Sequence, residues 1–316
     1  MKRRVLRDLT NNVGVSAEGG NFPERKQDTE VGQCVVAQLA RKENSCGPSV
    51  SFNSKSTENV YAPIGLEEIY VLLNKHNFVC SEALAAGEIT MNMRSILVDW
   101  MIEVVDEYSL EPETLFLSVA YVDMCLHRLS ICRAELQLLG VTCIFIAAKY
   151  EEIYAPQIEK LCYITDNSYD RTQIIDMERM VLDCLNFSVM LTTTNTVVTL
   201  LLAQLCVDNI CTIFAAFLSE MTLMRGELSK FSPVINAGAC IFLAEFYTGN
   251  NTPSVQQFFI NDSEQLRKCI QLLHLNVQEF DKKSYHALSE KYVDHNDLQI
   301  SDELRGKDLR DTDLFT

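Results

Sequence analysis

The sequence predicts an all-α fold made of two tandem helical domains, and three observations carry that prediction. Gly (12) and Pro (7) are scarce among 316 residues while Leu, Ala, Ile, Val and Met abound, a balance that suits packed helices better than turn-rich sheets. Apolar residues recur at helical spacing through six successive stretches of the first half. The chain then repeats itself: Cys143–Tyr150 reads CIFIAAKY and Cys240–Tyr247 reads CIFLAEFY, five of eight residues identical at an offset of 97. The same offset sets Asp123, Met124, Leu126 and Arg128 on Glu220, Met221, Leu223 and Arg225. One register shared across two helices without a gap reads as two copies of one fold, each wrapped round a small-residue central helix.

Taken in order, residues 1–60 mix Asn, Ser, Gly, Glu and Lys without a sustained period and are expected to be a disordered head. A leading helix begins after Pro63, in PIGLEEIYVLLNKHNFV. The next, MRSILVDWMIEVVDEY (93–108), holds the only tryptophan. SLEP opens a third, with Pro112 in the first turn, where a missing N–H costs nothing. ELQLLGVTCIFIAAKY is apolar nearly all round and is the expected buried helix of the first domain. Shorter helices follow at APQIEKLCYI and SYDRTQIIDMERMVLDCLN. The first domain with its leading helix spans 61–192, the second 193–289, and the polar, acidic stretch 290–316 reads as a solvated tail.

The net charge of −16 is unevenly placed: residues 1–60 carry +2 and the remainder −18. So acidic a body repels nucleic-acid phosphates, which argues against direct DNA or RNA binding and for a protein partner with a basic face. The twelve cysteines are scattered, form no CxxC pair and follow no signal peptide; they read as buried thiols in a reducing compartment. No apolar run reaches the about 18 residues of a membrane span, so no membrane association is expected. There is no GxxxxGK[ST], GxGxxG, HExxH or GxSxG motif, and the five histidines (76, 127, 274, 286, 295) show no metal-ligand spacing with the cysteines. The sequence thus predicts no catalytic residue, no metal and no cofactor.

Residues 93–108 pose a specific problem. On a helical wheel their apolar side chains cover an arc of roughly 240°, where roofing one core needs about 100°. Met93, Ile96, Leu97, Trp100 and Val104 share one sector, and Val98, Ile102 and Val105 another. Arg94 lies inside the arc, so its guanidinium needs a carboxylate and further hydrogen bonds. Asp123, set among apolar residues in SVAYVDMCL, is the matching oddity, and the two are expected to form a structural ion pair fixing two helices.

MRSILVDWMIEV, LFLSVAYVDMCL, LQLLGVTCIFIAAKYEEIYAP, CYITDNSY and DMERMVLDCLNF together resemble the cyclin box, and most closely that of an A-type cyclin of the plant kind. The resemblance runs from about Tyr61 to about Tyr292, with SPVINAGACIFLAEFY similar to the second cyclin fold. It implies two five-helix cyclin boxes preceded by a helix, and a non-catalytic subunit that activates a cyclin-dependent serine/threonine kinase; phosphoryl transfer stays in the kinase. By resemblance Lys149 bonds the kinase's backbone carbonyls and Glu178 supports it. Tyr150, Glu151, Glu152, Ile153, Leu182, Phe187 and Val189 fall on that interface, and Glu68–Leu73 should flank it.

The resemblance also implies a groove for short Arg-x-Leu segments of substrates and inhibitors, formed by Met93, Ile96, Leu97, Trp100, Glu103, Leu136 and Gln137. On this reading the 93–108 helix is apolar on two sides because it serves a core and a groove, with Trp100 the hot spot. Arg3, Leu6, Leu9 and Asn11 fit the spacing of a destruction box, which would bring a ubiquitin ligase, and the implied setting is cell-cycle progression through S, G2 and M in nucleus and cytoplasm. Where the family usually reads NYIDRFL, Ala120–Leu126 reads AYVDMCL, which should alter packing between helices of the first box. The rival reading of the fold, a cyclin-like transcription adaptor on DNA, sits poorly with the acidic body.

Overall fold

The computed structural model describes residues 88–205, 208–249, 262–280 and 285–293, and among them the regular structure is helical throughout. The first domain contains α1 (Met91–Glu107), α2 (Pro112–Arg128), α3 (Leu136–Glu151), α4 (Ile158–Ile164) and α5 (Arg171–Cys184). The second contains α6 (Thr194–Leu205), α7 (Asn209–Met224), α8 (Pro233–Thr248) and α9 (Ser263–Gln278), and α10 (His286–Val293) follows. No described helix is long and apolar enough to cross a membrane.

Local chemistry starts these helices where the sequence places them. Thr90 caps α1 by accepting the Met93 N–H, Asp208 caps α7 through Cys211, and Ser232 caps α8 through Ile235. Asp170 and Gln173 form a reciprocal capping box on α5. Pro112 and Pro233 stand in the first turns of α2 and α8. Gly249, in the left-handed region at φ 77°, ends α8.

The repeat survives in three dimensions. Shifting α3 by 97 residues gives the bounds of α8, and Pro112 at the start of α2 lands on Asn209 at the start of α7. Central α3 packs on α2 and α5, and central α8 on α7 and α9. The two arginines at equivalent positions do equivalent work. Arg128 donates to the carbonyl of Cys184, last residue of α5, at 2.8 Å, and Arg225 reaches Glu279, just past α9, at 3.4 Å.

Helix α1 stands at the seam of the two domains. It packs on α2 and α3 of the first and on α7 and α10 beyond. This is where its wide apolar arc goes: Met93, Leu97, Val98, Trp100, Met101, Ile102, Val104 and Val105 are all buried. Arg94 donates from Nε and Nη2 to the Asp123 carboxylate at 2.6 and 2.7 Å, and from Nη1 to the Leu223 carbonyl at 2.7 Å. The pair thus holds α1 to α2 and also to α7 of the second domain. Ser95 adds a bond to the Met224 carbonyl at 2.8 Å. A cavity of about 80 Å³ sits beside this seam, lined among others by Arg94, Asp123, Thr193, Thr222 and Ala120. At Ala120 the resemblance would expect a larger Asn, whose amide is missing from that space.

Residues 290–293, placed in a solvated tail by the sequence, are the last turn of α10. Tyr292 is buried, and it and Lys291 converge on Glu220 of α7, at 3.0 and 2.5 Å. The Ala287 N–H bonds Asp99 of α1 at 3.1 Å. Tyr292 also meets the Phe217 ring edge-on at 5.4 Å. A buried tyrosine with a carboxylate partner is what a polar stretch of sequence conceals.

Candidate functional site

The end of α3 is where the first domain differs from its copy. The helix stays buried through Ala148, then brings Lys149 and Tyr150 to the surface before Glu152 turns extended. Helix α5 buries Ile174, Met177 and Val181, which leaves Glu178 at the edge of its contact with α3. There Glu178 forms an ion pair with Lys149, whose Nζ also lies 4.2 Å from the centroid of the Phe145 ring. Burial lowers the Lys149 pKa, although 41 % of its side chain remains exposed. An ammonium has three donors; the pair orients it while leaving it reachable.

Large apolar side chains reach solvent in the segments that follow α3 and α5. Ile153 and Tyr154 are each 90 % exposed, Phe187 is 68 % exposed, and Tyr150 is exposed as well. Phe187 also sits at φ 57°, a region that bulky residues rarely occupy, after Asn186 at φ 50°. Its N–H closes a turn on the Leu182 carbonyl at 2.9 Å. Leu182 and Val189 are half-buried, packing on the core from this side. The Val189 carbonyl accepts the Tyr121 hydroxyl at 2.6 Å.

The sequence assigns Glu151 and Glu152 to the same surface, but they do different things. Glu152 turns inward, accepting the Glu111 N–H at 2.8 Å and the Thr114 hydroxyl at 2.7 Å, so it caps α2. Glu151 is exposed; burial of its carboxyl and the neighbouring Glu113, Glu152 and Glu111 charges raise its pKa. Tyr154, absent from the sequence-based set, is as exposed as Ile153, and only its position beside Ile153 could have suggested it.

Most residues of the strip expected to form a peptide groove have little exposed surface. Met93, Leu97, Trp100, Leu136 and Gln137 are buried, Glu103 is half-buried, and only Ile96, 40 % exposed, reaches solvent among its apolar members. Leu97 lies so close to Gly140 that a Cβ there would meet its Cδ1 at 2.8 Å, which fixes this strip against α3. One polar group stands out: Gln137 Nε2 is buried with no hydrogen-bond partner. The destruction-box residues Arg3, Leu6, Leu9 and Asn11 and the flanking Glu68–Leu73 lie outside the described residues. Among the described residues no group of His, Cys, Asp or Glu is arranged to hold a metal ion.

Residues 66–190 match the family model of the cyclin N-terminal domain, and residues 197–304 that of the cyclin C-terminal domain. The chain belongs to the cyclin family. Similar curated cyclins are A-type. Cyclin-A1-2 of Oryza sativa subsp. japonica is 37 % identical over 219 residues, covering 66 % of this chain and 46 % of that protein. Cyclin-A2-4 of Arabidopsis thaliana is 39 % identical over 195 residues, covering 59 % and 42 %. The G2/mitotic-specific cyclin-A of Patella vulgata is 35 % identical over 217 residues, covering 68 % and 51 %. The match spans about half the length of these relatives.

Among solved structures, a viral cyclin from herpesvirus saimiri aligns with a TM-score of 0.53 at 17 % identity, over 74 % of this chain and 97 % of that one. A chain of the yeast RNA Pol II CTD kinase CTDK-1 complex aligns with the same score at 10 % identity, over 75 % and 89 %. At such identities the likeness speaks for the fold. Two tandem cyclin domains make up the described body, and the Lys149–Glu178 surface belongs to the first alone.

Proposed function

We propose that this chain is a non-catalytic regulatory subunit that binds and activates a cyclin-dependent serine/threonine protein kinase through the end of α3. The observation that carries the reading is the surface Lys149–Glu178 pair, with Tyr150, Ile153 and Tyr154 exposed just after Lys149 and Phe187 exposed just past the end of α5. Large apolar side chains clustered in water are costly to a monomer and characteristic of a surface awaiting a partner. The left-handed backbone at Phe187 supports the same reading, because local strain that holds an aromatic ring outward has no use in the core. An oriented, half-desolvated ammonium suits backbone carbonyls of the partner better than a carboxylate, since Glu178 already occupies one donor.

The finer parts of the proposal follow the family. The α1–α3 strip recruits Arg-x-Leu segments, entering beside Ile96, the apolar member of the strip that reaches solvent. Arg3, Leu6, Leu9 and Asn11 mark the chain for a ubiquitin ligase, and the complex works in nucleus and cytoplasm during S, G2 and M phases. Because Trp100 is 5 % exposed, truncating it would open a cavity; Ile96→Ala, at a side chain 40 % exposed, is the cleaner probe of recruitment.

The test is histone-type phosphorylation by a monomeric cyclin-dependent kinase, with and without this chain, beside the Lys149→Ala, Glu178→Ala double variant. Strong activation by the native chain and its loss in the variant is the expected result. No activation with several such kinases would sink the reading. Slower phosphorylation of Arg-x-Leu substrates by Ile96→Ala, with short peptides unaffected, is expected for the strip.

A further inference from the structure

The head of the chain carries the same kind of ligand that the α1–α3 strip is proposed to receive. Arg-x-Leu occurs twice in the sequence, at Arg4–Val5–Leu6 and Arg7–Asp8–Leu9, and both copies lie inside the stretch that fits a destruction box. On α1, at 100° per residue, Ile96, Trp100, Glu103 and Glu107 fall within roughly 60° of one another. Ile96 is 40 % exposed, Glu103 is half-buried and Glu107 is exposed, so this line runs from an apolar side chain at solvent to two carboxylates. Glu103 stands two turns, about 10 Å, beyond Ile96. In an extended segment the Arg and Leu of Arg-x-Leu are about 7 Å apart at Cα, and the arginine side chain spans the remainder. A leucine laid against Ile96 therefore sets its arginine at Glu103.

Charge selects between the two copies. Arg4–Leu6 has Val5 in the middle and is flanked by Lys2, Arg3 and Arg7, whereas Arg7–Leu9 holds the carboxylate of Asp8. Helix α1 carries Asp99, Glu103, Asp106 and Glu107 and, apart from Arg94 in its ion pair with Asp123, no cation. An acidic rim favours the copy without an acid of its own. Reach sets no limit: residues 7–87 separate Leu6 from the first described residue, and their contour far exceeds the about 25 Å length of α1.

We propose that Arg4–Leu6 docks on the α1–α3 strip of its own chain, as an internal occupant that substrates must displace. This docking rests on the strip's role as an Arg-x-Leu site. Leu6 belongs both to the docking triplet and to the destruction-box spacing, so the docked head withholds it from a ubiquitin ligase. A substrate that takes the strip releases the head, and recruitment is thereby coupled to marking for degradation through one leucine. Arg4 serves docking only, because the destruction-box spacing uses Arg3, Leu6, Leu9 and Asn11.

The test compares the full native chain with Arg4→Ala, using two fluorescent peptides: the head segment Lys2–Thr10, and Ala-Ala-Arg-Arg-Ala-Leu-Ala-Ala. A docked fraction of about four-fifths raises an apparent Kd about fivefold, so both peptides should bind Arg4→Ala about fivefold more tightly than the native chain in an anisotropy titration. Asp-N protease, which cuts before Asp8, reads the head itself. Saturating alanine-based peptide, which holds no aspartate, should speed that cut about fivefold in the native chain, and Arg4→Ala should be cut as fast without it. Equal peptide affinity in the two chains, with cleavage insensitive to peptide, overturns the docking alone. Binding of the alanine-based peptide without binding of the head peptide also overturns it and leaves the strip's role standing. Binding of neither peptide to either chain overturns both. A fivefold difference that fades on dilution gives the head to a second copy and overturns docking within one chain.

Discussion

Replacing Arg94 by Met keeps an unbranched apolar stem and removes the guanidinium. The side chain of Arg94 is 3 % exposed and that of Asp123 10 %, so water relieves neither charge once the other is gone. Two bonds to the carboxylate, at 2.6 and 2.7 Å, and one to the Leu223 carbonyl, at 2.7 Å, are lost together. Leaving a buried carboxylate without its cation costs about 3–5 kcal/mol. The orphaned carbonyl adds about 1 kcal/mol. At roughly 2–4 °C per kcal/mol for a body of this size, the melting transition should fall by about 10 °C or more. Far-UV circular dichroism during heating and urea unfolding at neutral pH reads both. Arg94→Met with Asp123→Leu should recover most of the loss, because an apolar pair of similar volume substitutes well for a buried ion pair. A single-variant loss below about 1 kcal/mol, or a double variant as unstable as the single, would refute the view that this pair is fully desolvated and fastens the seam.

Three further outcomes follow from the same geometry. Lys149→Ala, at a side chain 41 % exposed, should change stability by no more than about 1 kcal/mol. It should nonetheless weaken kinase association about thirtyfold, the lower range for removing an interfacial hydrogen-bonded charge, in a binding titration. Lys291→Met should cost about 3 kcal/mol in urea unfolding, because Glu220 is 3 % exposed and keeps only the Tyr292 hydroxyl; Tyr292→Phe should cost about 1 kcal/mol. Burial raises Glu245 to about 7, so the folded chain binds that proton more tightly than the unfolded one. Its contribution is fully present below the ordinary carboxylate value and lost as pH rises through about 7. Glu245→Gln should therefore flatten the fall in stability between about pH 5 and 8, on the order of 2 kcal/mol, and a native-like slope in the variant would place the titration elsewhere.

What could be read from the sequence, and what could not, divides by range of interaction. The offset of 97 was legible because α2, α3, α7 and α8 are fixed by local apolar pattern and by caps such as Asp208 and Ser232. Arg94 and Asp123 were legible as a pair because a charge inside an apolar arc demands a partner. That Arg94 also reaches the Leu223 carbonyl was not, since a backbone acceptor 129 residues away leaves no mark in composition. Helix α10 was missed for the same reason: Ala287 and Tyr292 find Asp99 and Glu220 only after the chain has returned to α1 and α7. The width of the α1 apolar arc was seen, but a wheel cannot say whether its second side meets solvent, a ligand or another helix. Here it meets α3 on one side and α7 with α10 on another.

The two domains use one fold for different ends, and matched positions show how. At the central helix the first copy ends Ala148–Lys149–Tyr150 and the second Glu245–Phe246–Tyr247. Lys149 stands at the surface beside Glu178, whereas Phe246 is half-buried against the Tyr247 ring, 5.4 Å away. The second copy therefore has no ammonium to offer, and Tyr247 is buried and bonded to His274 at 2.6 Å. The buried acid one helix earlier is kept in both copies but given a different cation. Asp123 takes Arg94 from the helix before it, and Glu220 takes Lys291 from the helix after its domain. Both cations come from α1 or from α10, which packs on α1, so each domain's buried acid is neutralised at the seam. A duplicated fold whose internal charges are satisfied between copies is held as one body. That leaves the far end of α3, the part of the first copy least engaged in the seam, available to a partner.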